Sequence, residues 1–173
     1  MRDFRIVYVP AVMFALIMLI GGPALASEKH RARLLEGSQE TPAVITGASG
    51  SFEMDIARND GSFDFELNYT GIAGGAVTQA HIHVGQPNVA GGIVIFLCTN
   101  LTPPTGVPTP PPCPASPGTV TGTRTAADVI AQTTQGISAG EFAAVLTAVR
   151  DGLAYANVHT AASPAGEIRG QIK

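Results

Sequence analysis

Apolar and polar residues alternate with a period of two through much of the chain after residue 30, the pattern of strands with one buried face. Ala32 to Glu36 predicts a first strand, followed by Gly37-Ser38-Gln39-Glu40-Thr41-Pro42 as a connection. Phe52, Met54 and Ile56 then alternate with Glu53 and Asp55, and Phe63, Phe65, Leu67 and Tyr69 alternate with Asp64, Glu66 and Asn68. Asn59-Asp60-Gly61 lies between these runs, and a two-residue Asp60-Gly61 loop predicts a hairpin with Ile56 opposite Phe65 and Met54 opposite Leu67. A one-residue slip would set apolar against acidic side chains. The same register sets Asp55 against Glu66, beside Glu53 and Asp64. Four carboxylates could attract Ca²⁺, but the asparagine-glycine pattern of a calcium loop is missing, and a solvated acidic face is the expectation.

Ile93 to Cys98 is a continuous apolar run suited to a strand buried on both sides. Thr119 to Thr123 predicts a short strand, and Thr125-Ala126-Ala127-Asp128 resembles a helix start. Ser138 and Glu141 have capping-box spacing. Phe142, Val145, Leu146 and Val149 then recur at helical intervals, with Gly152 as the stop and Arg150 and Asp151 as solvent residues. The chain therefore reads as mainly β: a single antiparallel β-sandwich or partly closed barrel with one or two short helical insertions.

Two strands carry the chemistry. Alternation puts Gln79, His81 and His83 on one face, against Ala80, Ile82 and Val84. It likewise separates Tyr155, Asn157 and His159 from Ala156 and Val158, and Glu167, Arg169 and Gln171 from Ile168 and Ile172. If these strands are neighbours, three imidazoles, a carboxylate and a guanidinium converge on one surface.

Composition narrows the setting. Arg2 and Arg5, the apolar run Ile6 to Ile20, the break at Gly21-Gly22-Pro23 and the small residues of Ala24-Leu25-Ala26 form a secretory signal, with cleavage expected after Ala26. The apolar run, about 15 residues, is short of the roughly 20 that span a bilayer. Residues 27–173 form one domain with no membrane span after processing. Removing Arg2, Arg5 and Asp3 moves the net charge from −3 to −4, which argues against nucleic acid and anionic membrane as partners. Cys98 and Cys113 flank a proline-rich stretch that cannot be helix or central strand. In an exported chain they are expected to form a disulfide worth about 3 kcal/mol by loop entropy. The expected location is secreted or periplasmic.

Four motifs in order, Gln39-Glu40-Thr41-Pro42, Ala80-His81-Ile82-His83-Val84-Gly85, Tyr155-Ala156-Asn157-Val158-His159-Thr160 and Gly166-Glu167-Ile168-Arg169-Gly170-Gln171, resemble the CHRD (chordin-type) domain. The resemblance covers about Glu28 to Lys173. It departs in Ala156, where a bulkier β-branched residue is common, and in the long proline loop. It implies a β-rich domain, repeated in the secreted antagonist chordin and standing alone in many exported microbial proteins, without an established catalytic activity. Chordin's ligand capture is not implied, because this chain has a single domain and none of chordin's cysteine-rich modules.

Three readings of the histidine face follow. In the first, His81, His83, Asn157, His159, Glu167 and Arg169 form a structural or binding polar cluster whose members satisfy one another. In the second, His81, His83 and His159 ligate Zn²⁺ or Cu²⁺, with Glu167 orienting a ring. In the third, a histidine acts as general base beside Arg169, but no activated nucleophile or phosphate loop accompanies it. The expectation is a non-catalytic module with no cofactor, recognising an extracellular or envelope protein or small ligand; metal or small-ligand binding is the alternative. Asn68 and Asn100 begin glycosylation sequons. Gly85, Gly91 and Gly92 predict a tight turn around Gln86-Pro87-Asn88, and Tyr155 reads as an aromatic at the core edge.

Overall fold

A computed structural model describes residues 27–173, so the expected signal segment lies outside the described residues. Eight strands form one antiparallel sheet: β1 (Glu28–Glu36), β2 (Ser49–Ile56), β3 (Ser62–Thr70), β4 (Val77–Val84), β5 (Gly92–Thr99), β6 (Gly118–Thr125), β7 (Ala154–Thr160) and β8 (Ile168–Gln171). Their spatial order is β5-β4-β7-β8-β1-β2-β3-β6. The sheet curls until its edges meet, giving the partly closed barrel. Its inner wall is Leu35, Phe52, Met54, Phe63, Leu67, Ile82, Leu97, Val158 and Ile168, all essentially inaccessible.

The seam between β5 and β6 is closed without a continuous ladder. Arg124, on β6, donates from Nε to Phe96 O at 2.9 Å and from Nη2 to Leu97 O at 2.8 Å. Farther along, Ile130 N–H donates to Val94 O at 3.0 Å and the Gln132 amide to Ile93 O at 2.8 Å. These donors satisfy an edge that would otherwise expose unpaired carbonyls.

The hairpin register differs from expectation. Ile56 pairs with Phe63, Met54 with Phe65 and Phe52 with Leu67, two residues from the predicted pairing. The turn is a four-residue loop, Arg58–Gly61, because Ala57 N–H bonds to Ser62 O and Asp60 N–H to Ala57 O. Both registers set apolar against apolar, so alternation excludes a one-residue slip but not a two-residue one. Asp55 accordingly faces Asp64 and Glu53 faces Glu66. Lys29 spans this acidic face, 3.3 Å from Glu53 and 3.5 Å from Asp55.

Among the described residues, helical structure is one helix, α1 (Phe142–Arg150), and three single 3₁₀ turns. Phe142, Val145, Leu146 and Val149 are buried, as the spacing predicts, and Phe142 stacks on Phe63 at 5.8 Å. Only half of the expected capping box forms: Glu141 accepts from Ser138 N–H at 2.8 Å, and the helix starts after Glu141. Gly152, at φ 67°, ends it; Leu153 N–H bonds to Ala148 O and Gly152 N–H to Val149 O, a Schellman closure. Thr125 and Asp128 do complete a capping box, but it opens a single 3₁₀ turn. Val129 and Ile130 are drawn onto the β5 edge instead of continuing the helix. Arg150 is no ordinary solvent residue: its guanidinium bonds to both Glu28 and Asp60, tying α1 to β1 and the β2–β3 turn.

Cys98 and Cys113 are joined, as expected. Asn100 is bound inside that loop, donating to Val77 O and Cys113 O and accepting from Cys113 N–H. Asn68 bonds to Glu66 and Thr119. Glycosylation at either sequon would break these contacts.

Candidate functional site

The predicted parity holds. Strand β7 lies between β4 and β8, with His81 opposite Asn157, His83 opposite Tyr155 and Asn157 opposite Arg169. Ala80, Ile82, Ala156, Val158 and Ile168 point into the barrel. The other set points outward, yet it is not exposed: His81 is 0% accessible and His83 and His159 are each 6%. Neighbouring loops fold back over this outer face and make it a second, polar core.

Each histidine has a defined state. His83 Nδ1 lies 3.0 Å from Gly91 O, and His159 Nδ1 lies 3.1 Å from Pro164 O. A carbonyl only accepts, so both Nδ1 atoms carry the proton and both Nε2 atoms keep a lone pair. His159 Nε2 then accepts from His81 Nδ1 at 3.1 Å. Burial pushes His81 down to about 2 and His83 down to about 4, and also lowers His159, so all three rings are neutral at pH 7. The Nε2 atoms of His81 and His83 are buried without a hydrogen-bond partner. Phe96 packs edge-on against His81 at 4.3 Å, and Tyr155 stacks on His83 at 4.7 Å.

Glu167 and Arg169 do not pair with each other or bond to the rings. The Glu167 carboxylate accepts from Ala73 N–H, Gly74 N–H, Thr46 Oγ1 and Thr160 Oγ1, each at 2.8–2.9 Å. Burial alone would raise its pKa; those donors outweigh it and hold the carboxyl below the ordinary range. The expected role for Glu167, orienting an imidazole, is therefore replaced by a clamp on two loops at the β1 C-terminal end of the barrel. Glu167 stands just before β8, and parity could not show its donors: Thr160 is 7 positions away, but Thr46, Ala73 and Gly74 are 93–121 positions away. Arg169 lies over the Tyr155 ring at 3.4 Å and donates to Val89 O at 3.0 Å and Gln86 O at 2.9 Å.

Two residues belong to this face that the sequence did not single out as functional. Glu40 accepts from Asn157 Nδ2 at 2.6 Å. Its burial pushes it up to about 7, against the opposing influence of Asn157 and Arg169. Its only sequence signal is its place in Gln39-Glu40-Thr41-Pro42. Tyr155 is buried, and its hydroxyl accepts from Gly91 N–H at 3.0 Å. Gly166 has φ 128°, and a Cβ there would collide with Asn157 and Glu40, which explains a glycine beside the pair.

The family model for the CHRD domain matches residues 32–172, nearly all of the described structure. The chain belongs to the CHRD family. All four motifs thus lie within a CHRD domain, and the three from the histidine strands and β8 supply most of its outer polar core. Searches of curated proteins and of solved structures return no match. No helix among the described residues is long and apolar enough to cross a membrane.

Proposed function

We propose that this CHRD domain is an exported, non-catalytic binding module that presents the Gln86–Ala90 loop to an extracellular or envelope protein or small ligand. The observation that carries this reading is Arg169, whose two terminal nitrogens bond to the carbonyls at both ends of the Gln86–Val89 turn. His83 and Tyr155 hold Gly91 from beneath, and Gln171 donates to Gly85 O. The backbone is fixed while Gln86, Pro87, Asn88 and Val89 remain exposed. A surface ordered before binding avoids the entropy cost of ordering it on contact. The disulfide fits an oxidising compartment.

The test is a photo-crosslinking residue at Val89 in the protein in its own compartment, with the same residue at Thr121, on β6, as control. The Val89 position should give saturable adducts of defined mass, and Arg169→Ala, by releasing the loop, should cut their yield about tenfold. Equal adducts from both positions, or a yield indifferent to Arg169→Ala, would refute the reading.

A further inference from the structure

We propose that His81, His83 and His159 bind a single zinc or copper ion within the outer polar core. One nitrogen from each ring lies within 4.8 Å of those of the other two. Nitrogens bound tetrahedrally at 2.0–2.1 Å stand about 3.3–3.4 Å apart. His81 Nδ1 and His159 Nε2 are already 3.1 Å apart. Bringing in the third ring takes a side-chain adjustment of about an ångström.

The hydrogen bonding asks for such an occupant. His83 Nε2 is among the few buried side-chain atoms without a partner, in a face whose Asn157 and Arg169 are bonded, and its lone pair is the one an ion would take. Leaving buried acceptors unsatisfied is costly. His83 and His159 each donate Nδ1–H to a backbone carbonyl, which fixes the tautomer and leaves Nε2 unprotonated, the arrangement that orients metal-binding imidazoles. Binding through His81 Nδ1 moves its proton to Nε2; the ring stays neutral, and only the bond to His159 is broken. Three imidazoles, with both cysteines in the disulfide, suit zinc or copper rather than calcium or magnesium. Burial beneath Phe96, Tyr155 and the Val89 loop makes this a sealed site that holds its ion.

The test uses the mature protein, stripped by chelator and titrated separately with Zn²⁺ and Cu²⁺ by calorimetry. One ion per chain should bind for at least one metal, with affinity falling at least 100-fold in His83→Ala and His159→Ala and unchanged in His30→Ala, which alters the histidine paired with Glu28. Should either site variant fail to fold, ¹⁵N spectra of the wild-type imidazoles decide. With Zn²⁺, or Cu⁺ if copper is the ion bound, the Nε2 signals of His83 and His159 should shift while their Nδ1 atoms stay protonated. No stoichiometric binding of either metal, affinity indifferent to His83→Ala, or Nε2 signals unmoved on saturation would overturn the proposal.

Discussion

Glu40 and the histidines of the outer core draw stability in opposite directions as pH changes. Burial raises Glu40 from an ordinary 4.5 to about 7, so between these values the unfolded chain has lost a proton that the folded protein keeps. The stabilisation from this group is complete below about 4.5 and is lost as pH rises through 7. His81 and His83 are lowered from 6.5 to about 2 and about 4, so their contribution is present above 6.5 and is lost as pH falls toward those values. Glu40→Gln keeps a carbonyl for Asn157 and removes the ionisation. It should stabilise the protein by on the order of 1–3 kcal/mol at pH 8 and leave it nearly unchanged at pH 4.5. Urea unfolding at the two pH values checks this, and an equal gain at both would show that ionisation of Glu40 is not the cause.

Among the elements, β5 and β6 depend most on a single side chain. Arg124 crosses the seam with two hydrogen bonds to β5 carbonyls and lies over the Phe65 ring at 4.9 Å. Arg124→Met keeps much of the apolar stem but leaves Phe96 O and Leu97 O without their donor. We expect a loss of about 2–4 kcal/mol. Hydrogen exchange should locate it, with amide protection falling first in β5 and β6; uniform loss across all eight strands would exclude a local seam. The same elements show where pattern stops. Residues Val129 and Ile130 follow a complete capping box yet leave the helix, because the open edge of β5 offers their backbone partners that no local signal announces.

At the scale of the molecule, every strand runs between two ends with different covers. One end is closed by α1 and the Ala126–Glu141 segment; at the other, Glu167 joins the Thr46, Ala73–Gly74 and Thr160 regions. If residues 1–26 are an export signal, the intact mass of the mature protein should correspond to a chain beginning at Ser27; a mass retaining Met1 to Ala26 would refute processing. Most of the face assignments were legible from sequence, because strand alternation is geometric: His81, His83, Asn157, His159 and Arg169 could only share a side once β4, β7 and β8 were adjacent. The Cys98–Cys113 link followed from two cysteines around a stretch that proline keeps out of the sheet. The α1 stripe followed from its spacing. Tertiary structure decided the rest. It chose the hairpin register, since alternation repeats every two residues. It gave Glu167 to distant backbone amides and Arg169 to the Gln86–Val89 turn, and it brought Glu40 against Asn157 across 117 positions. Most of all, it buried the outward-facing histidines: a period of two says which way a side chain points, while only the folding-back of loops determines whether water lies there.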